Sequence, residues 1–309
     1  MKVARILQFG SPEAIQNTEV ARPTPGSGQV LVRVKAAGVG PWDALIREGK
    51  SVVSQAFPIT LGSDLSGVVE AVGADVANLK IDDEIFGVTN EFFTGAYAEY
   101  ALASAKMIAR KPRKLNFLDA ASAPVVSVTA WQMLFDYAHV TAGQTVLIHG
   151  AAGNVGAYAV QLAKQAGLQV VATAAGRDRE YVQSLGAERV IDYKTARFED
   201  GLHSVDAVLD MVGGEIRERS FAVLKPSGIL VSVASPIPRE MAAGRGARAI
   251  FFLVEVTTER LNTIRELFDS GKLIADVGTV LPLNEARAAH EMLAGAPHKR
   301  GKIVLEVAA

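Results

Sequence analysis

One loop carries the residues best suited to chemistry. Gly150, Ala151, Ala152, Gly153, Asn154, Val155 and Gly156 follow the apolar run "TVLIH" and open a segment, 154–167, with small and apolar residues at helical spacing. Counted from Ala151, the pattern is A-x-G-x-x-G. A strand that ends in such a loop and feeds a helix aims backbone N–H groups at a pyrophosphate, at the positive end of the helix dipole. Each glycine position has its own task. The first makes the tight turn, the second (Gly153) lets backbone approach the phosphates, and the third (Gly156) lets the helix pack closely on the strand. Alanine serves at the first position wherever φ stays negative. The loop therefore predicts a dinucleotide site, despite its missing glycine.

The next strand selects the cofactor. An NAD site carries an Asp or Glu about 20 residues beyond the loop to bind the ribose hydroxyls. The count from Gly153 lands on Thr173, in "VVATAAGRDRE", where no carboxylate stands. Arg177 follows four residues later, then Arg179, and Tyr193 in "VIDYK" lies after the next strand. A neutral hydroxyl with a nearby guanidinium suits a 2′-phosphate, so the expected cofactor is NADPH.

The surrounding elements must hold this loop in place. Residues 1–118 read as short β-rich runs punctuated by glycine and proline, which predicts a small, mostly antiparallel, barrel-like domain. From 119 the texture changes. "DAASAPVVSVTAWQMLFDYA" is helical in spacing, and strands and helices then alternate through "VDAVLDMVG", "GEIRERSFAVL" and "GILVSVAS". That alternation predicts an α/β, doubly wound parallel sheet of Rossmann type over 119–272. "AIFFLVEV" reads as a sixth, very apolar strand. The tail, 273–309, closes with "GKIVLEV", too short to stand alone, and is expected to return to the first domain.

Bulk properties exclude several classes. The 309 residues include no cysteine, so disulfides, thiolate metal sites and a Cys nucleophile are ruled out. The net charge is −1, and the short run Arg110 to Lys114 reads as a solvated loop, so no nucleic-acid partner is expected. No stretch reaches the ~18 apolar residues of a membrane span, and "MKVARILQFGSPE" lacks the features of a signal peptide, so the expected location is the cytoplasm. The five histidines are scattered, and His149 in its strand reads as a packed core residue.

Six ordered motifs carry a resemblance: "AAGVGPWDALIREG", "LGSDLSGVVEAVG", "GAYAEYALA", "GAAGNVG", "SLGAERVIDY" and "GKIVLEV". Together the sequence resembles the medium-chain dehydrogenase/reductase superfamily, in its zinc-free quinone and enone reductase branch, over nearly the whole chain. The resemblance implies a GroES-like catalytic domain built from 1–118 and 273–309, a Rossmann domain inserted between them, and a deep cleft with the nicotinamide at its base. It also implies a homodimer paired through the Rossmann sheet edge, which "RAIFFLVEV" would supply. Zinc alcohol dehydrogenases of the superfamily place ligands where Gly40, Ser63 and about Val125 stand here, and none of these ligates zinc well. No metal is expected.

Without a Lewis acid the substrate must accept hydride readily, as a quinone or an α,β-unsaturated carbonyl does. Related reductases often carry Asn where Gly40 stands and Tyr where Leu45 stands, so the usual Tyr donor is missing. Ser63, Thr129 and backbone N–H groups are the candidate donors, with water as the alternative proton source. Trp42 is a candidate wall for a flat acceptor. Asp43 and Asp64 match family positions and are as well suited to fixing loops as to chemistry, with Arg47 as a partner. By resemblance, Thr129, Val212, Gly213, Val233, Ala234, Ser235, Phe251, Phe252, Val254 and Lys302 join the cofactor set. The expected function is an NADPH-dependent quinone or enone reductase. The alternative is an NADPH-binding crystallin-like or regulatory protein with little turnover.

Overall fold

The computed structural model describes residues 1–52, 56–242 and 246–307. The chain folds as two compact units, Met1–Val125 with Val256–Ala309, and Val126–Glu255.

The first unit begins with β1 (Lys2–Ile6), β2 (Gln16–Glu19), β3 (Gln29–Val39), helix α1 (Pro41–Arg47), β4 (Ile59–Thr60), β5 (Asp64–Val72), β6 (Glu84–Val88), β7 (Tyr100–Ser104), β8 (Ile108–Arg110) and α2 (Phe117–Ser122). The long strand β3 organises it, pairing antiparallel with both β5 and β7. Its residues Val30, Val32, Val34, Ala37 and Val39 enter a core shared with Leu61, Leu65, Ile85 and Tyr97.

The second unit continues through α3 (Pro124–Trp131), β9 (Thr145–His149), α4 (Asn154–Gln165), β10 (Gln169–Ala174), α5 (Arg179–Ser184), β11 (Arg189–Asp192), β12 (Val205–Asp210), α6 (Glu215–Ser220), β13 (Leu224–Ser232), α7 (Arg239–Ala242) and β14 (Arg248–Phe251). Among the described residues its strands form one six-stranded sheet in the order β11-β10-β9-β12-β13-β14. Every pairing in it is parallel. Val146, Leu147 and Ile148 of β9 are fully buried, as a central parallel strand covered on both faces requires. The strand order reverses between β9 and β12. Ligands of doubly wound sheets bind at that reversal, beyond the carboxyl ends of the strands.

The chain then completes the first unit with α8 (Thr258–Asp269), β15 (Val277–Pro282), α9 (Ala286–Leu293) and β16 (Lys302–Glu306). β16 pairs antiparallel with β3, setting Ile303 opposite Val39. The compact units divide at 125/126 and 255/256, beside the expected limits at 118/119 and 272/273. The reason at the second limit is α8. The Thr258 hydroxyl donates to the carbonyls of Ala105 and Ile108 at 3.1 and 2.8 Å, which fastens the helix to the first unit. The apolar run "AIFFLVEV" makes a shorter strand than its composition suggests. β14 ends at Phe251, and Phe252 turns inward to stack on Tyr137 with ring centroids 4.3 Å apart.

Candidate active site

The glycine loop sits at the carboxyl end of β9, where the sheet reverses. The positive φ that its tight turn needs falls on Gly150, at 73°, and Ala151 is not among the positive-φ residues. This is why alanine is tolerated at the first motif position. Gly153 is the N-cap of α4, with extended backbone (φ −82°, ψ 170°), and its N–H donates to the Gly150 carbonyl at 3.0 Å. Gly156 is the constrained one. A Cβ there would lie 2.2 Å from the Gly150 oxygen and 2.7 Å from the Ala151 Cα. Those are backbone atoms that cannot move aside, so only glycine lets α4 approach this closely. The first turn of α4 leaves backbone N–H groups without intrahelical acceptors. Loop and helix thus fit the pyrophosphate of a dinucleotide.

Two further loops reach the same edge of the sheet, after β12 and after β13. A buried ion pair joins them. Arg217, on α6 and 4% exposed, donates through Nε to Asp210 Oδ2 at 2.9 Å. Its Nη2 reaches the Ser232 and Ser235 hydroxyls at 3.3 and 2.9 Å, and Nη1 the Pro236 carbonyl at 3.1 Å. Asp210 also accepts from the backbone N–H groups of Val212 and Gly213 and from the Ser232 hydroxyl. Burial pulls the Asp210 pKa upward, but the Gly213, Val212, Ser232 and Arg217 donors outweigh it and hold the group below its ordinary range. The loops bearing Val212 and Gly213 and bearing Val233, Ala234 and Ser235 are therefore braced by one guanidinium. Neither Asp210 nor Arg217 stood out in the sequence. The available signal was an Asp ending the buried strand "VDAVLD", which must find a partner.

Three of the expected cofactor residues have partners of their own. Thr173 is 4% exposed, and its hydroxyl lies 2.9 Å from His149 Nδ1, its register partner across β9 and β10. Ala174 and Ala175, at the end of β10, are buried as well. Phe252 is committed to Tyr137, as above. Lys302 is 1% exposed, and its ammonium is held inside the first unit. Arg177 is 82% exposed, its Nε 3.7 Å from the Asp178 carboxylate, and Tyr193 is 56% exposed. Phe251 and Val254 are half-buried, and Thr129 on α3 is buried. His149 is a packed residue: its other nitrogen lies 3.0 Å from the Ser220 hydroxyl. Burial, only partly offset by the Asp210 charge, pushes its pKa down to about 4.

The first unit gathers the remaining candidates around Lys302. Its Nζ lies 3.1 Å from Asp64 Oδ2 and 4.2 Å from the centroid of the Trp42 ring. Trp42 donates through Nε1 to Ser63 Oγ at 2.9 Å, and the Val125 N–H donates to Asp64 Oδ1 at 3.0 Å. A Cβ on Gly40 would stand 2.3 Å from the Trp42 ring, so the indole fills the space a ligating side chain at position 40 would need. Gly40 has no side chain, Ser63 accepts from an indole, and Val125 is apolar. This donor set does not fit zinc. Ser63 is fully covered, and its hydroxyl accepts from the Trp42 indole and anchors it. Trp42 itself is half-buried and keeps part of its ring accessible.

Beneath α1 lies a second polar cluster. Asp43 Oδ2 accepts from the Gly40 N–H at 2.8 Å and from the Tyr97 hydroxyl at 3.1 Å, while its Oδ1 has no partner among the described residues. Burial dominates and raises its pKa to about 7, against the opposing pull of the Gly40 N–H and Lys302. The folded carboxyl therefore keeps a proton between pH 3.8 and about 7 that the unfolded chain has released. Its contribution to stability falls as pH rises through that window, by on the order of 1 kcal/mol per pH unit. Asp43→Asn removes this dependence. In urea unfolding, the stability of the variant relative to the parent is expected to grow steadily from pH 5 to 7. A constant difference across that range would contradict the assignment.

Comparison with known proteins agrees with this geometry. Residues 26–113 match the family described as alcohol dehydrogenase GroES-like domain, and 185–305 the family described as zinc-binding dehydrogenase. The quinone oxidoreductase of Sus scrofa is 33% identical over 323 residues, covering 99% of this chain and 97% of that protein. That of Pongo abelii is 31% identical over 322 residues, with the same coverage. The solved quinone oxidoreductase from Coxiella burnetii is 37% identical, with a TM-score of 0.92 over 100% of this chain and 99% of that one. The solved CurK enoyl reductase is 26% identical, with a TM-score of 0.89 over 99% of each chain. A parallel sheet of this order, in one chain with a GroES-like unit and with quinone oxidoreductases as relatives, defines an oxidoreductase of a family that uses a nicotinamide cofactor. The chain belongs to the medium-chain dehydrogenase/reductase family, in its quinone oxidoreductase branch.

Proposed function

We propose that this protein is a zinc-independent reductase that uses NADPH to reduce a quinone or an α,β-unsaturated carbonyl. The observation that carries the reading is the Trp42 ring lying over Gly40. It replaces a metal-ligating position with a flat aromatic wall, beside a buried ammonium. Relatives named quinone oxidoreductase and enoyl reductase support the acceptor class.

Bound NADPH would supply a hydride, which such acceptors take because the arriving charge delocalises onto oxygen. The residues of this chain position and shield. The glycine loop and α4 hold the phosphates, and the Arg217–Asp210 pair braces the loops beside them. Trp42 orients a planar acceptor, and Ser63 and Lys302 orient Trp42. The proton that completes the reduction comes from water.

NADPH is favoured over NADH by the exposed Arg177 and Tyr193, which are available to a 2′-phosphate. One observation favours the NADH reading. A Cβ on Gly176 would stand 2.5 Å from Asp192 Oδ2, so a carboxylate lies beside the end of β10. The two readings separate in steady-state oxidation of each nucleotide with a panel of 1,2- and 1,4-quinones and enones. NADPH is expected to give the higher kcat/KM, and Arg177→Ala to lower it about tenfold while leaving NADH unchanged. Equal loss with both nucleotides would remove Arg177 from the 2′-phosphate site. We further propose a homodimer paired through the β14 edge, acting in the cytoplasm, in keeping with the absence of cysteine.

A further inference from the structure

The helix that carries Trp42 also carries an exposed apolar row. Trp42, Leu45 and Gly49 stand at i, i+3 and i+7, so they share one face of α1 and of the turn that ends it. Leu45 is 46% exposed. Gly49 adopts φ +70°, and a Cβ there would lie 2.8 Å from the Phe9 ring, so Phe9 rests directly on the end of the helix. Phe9 in turn meets Phe57 edge to face, with centroids 4.7 Å apart. The two rings remain 47% and 41% exposed, and Leu7 beside them 49%.

This shelf is fixed in place. Arg47, 2% exposed, donates through Nε to the Gly10 carbonyl at 3.0 Å, and the Gly10 N–H donates back to the Arg47 carbonyl at 3.0 Å. Its Nη1 lies 2.9 Å from His290 Nδ1. A buried arginine thus clamps the segment that carries Leu7 and Phe9 to the helix that carries Trp42 and Leu45. Exposed aromatic rings held this firmly are not a by-product of a loose loop.

The row's dimensions indicate its occupant. Seven residues of helical rise span roughly 10 Å, and the edge-to-face ring pair extends it to about 15 Å. The exposed apolar surface is on the order of a few hundred Å², short of the ~800 Å² that each partner of a standard protein interface buries. A single file of apolar side chains starting at a flat wall matches an unbranched or isoprenoid chain attached to a planar head.

We propose that Leu45, Phe9 and Phe57 bind the aliphatic tail of the acceptor, so that the physiological substrate is a tailed quinone or a long-chain enone. This rests on the reductase reading above and adds the substrate class to it. The test is a homologous series of 2-alkyl-1,4-benzoquinones, from no tail to twelve carbons, assayed for kcat/KM with NADPH. The parent enzyme is expected to gain about twofold per methylene, as half-exposed apolar contact predicts, until the tail outruns the row. Phe9→Ser and, separately, Phe57→Ser are expected to flatten that slope and to change the rate with the tailless quinone by less than about twofold. A flat series in the parent enzyme, or the same slope in all three proteins, overturns the proposal. So does a fall in oligomeric mass in either variant, which would give the row to a second copy. Equilibrium quenching of tryptophan fluorescence by the same quinones, without NADPH, reads tail binding independently of turnover. Tail-dependent quenching lost in the variants supports the proposal even if no acceptor is reduced, a result that would sink the reductase reading alone.

Discussion

Gly156→Val is expected to raise the Kd for NADPH by about a hundredfold, the equivalent of roughly 3 kcal/mol, and to lower the unfolding midpoint as well. The cause is local. The added Cβ would meet the Gly150 oxygen at 2.2 Å and the Ala151 Cα at 2.7 Å, so α4 must move away from the loop that it helps to form. Once α4 shifts, its first-turn N–H groups no longer converge on the phosphates. Gly153→Ala makes the informative contrast. Its Cβ would meet only the Gly150 oxygen, at 3.3 Å, and the backbone there is already extended. It should leave stability nearly unchanged and weaken nucleotide binding by crowding the phosphates. Fluorescence titration with NADPH alongside thermal unfolding checks both. A folded Gly156→Val variant with the parent affinity would refute the placement of the pyrophosphate.

Arg217→Met should destabilise the protein by about 3–5 kcal/mol at neutral pH, among the largest effects of any single replacement outside the glycine loop. Removing the guanidinium leaves Asp210, fully buried, without its counter-charge. The remaining donors, Val212 and Gly213 N–H and the Ser232 hydroxyl, do not neutralise a carboxylate. The loops after β12 and β13 also lose their common brace, so the NADPH affinity should fall with the stability. Arg217→Lys is expected to recover only part of the loss, because an ammonium cannot replicate the fork that reaches Asp210, Ser235 and Pro236 together. Urea unfolding measures the energy. A loss below about 1 kcal/mol in Arg217→Met would mean that the pair is not the brace described here.

Much of this was legible in the sequence wherever the determinants are local. The run "TVLIH" followed by the glycine loop specified β9 and α4, because strand burial and glycine sterics act over a few residues. The alternation of strands and helices specified a parallel sheet. What escaped were contacts between distant segments. Arg217 in "EIRERS" looks no different from Arg219, and only the closeness of the β12 end and α6 makes it internal. Lys302 and Asp64 are 238 residues apart, and no spacing rule links them. The surroundings of Thr173 escaped for a related reason. Counting along the chain finds the right strand, but alternation on that strand turns its side chain toward His149. The sequence offered Trp42 as a candidate wall for a flat acceptor, but its closure over Gly40 depends on the exact path of α1.

Metal-free hydride transfer to an activated acceptor is tested most directly by isotope transfer. The chelator-treated enzyme would be supplied with NADPH deuterated at one face of the nicotinamide C4 and with an enone, and the product examined by mass spectrometry and NMR. Deuterium on the β-carbon of the product, from one of the two labelled faces only and at undiminished rate after chelation, is the predicted result. Product free of deuterium from either label, or activity that disappears with the chelator and returns with zinc, would contradict it.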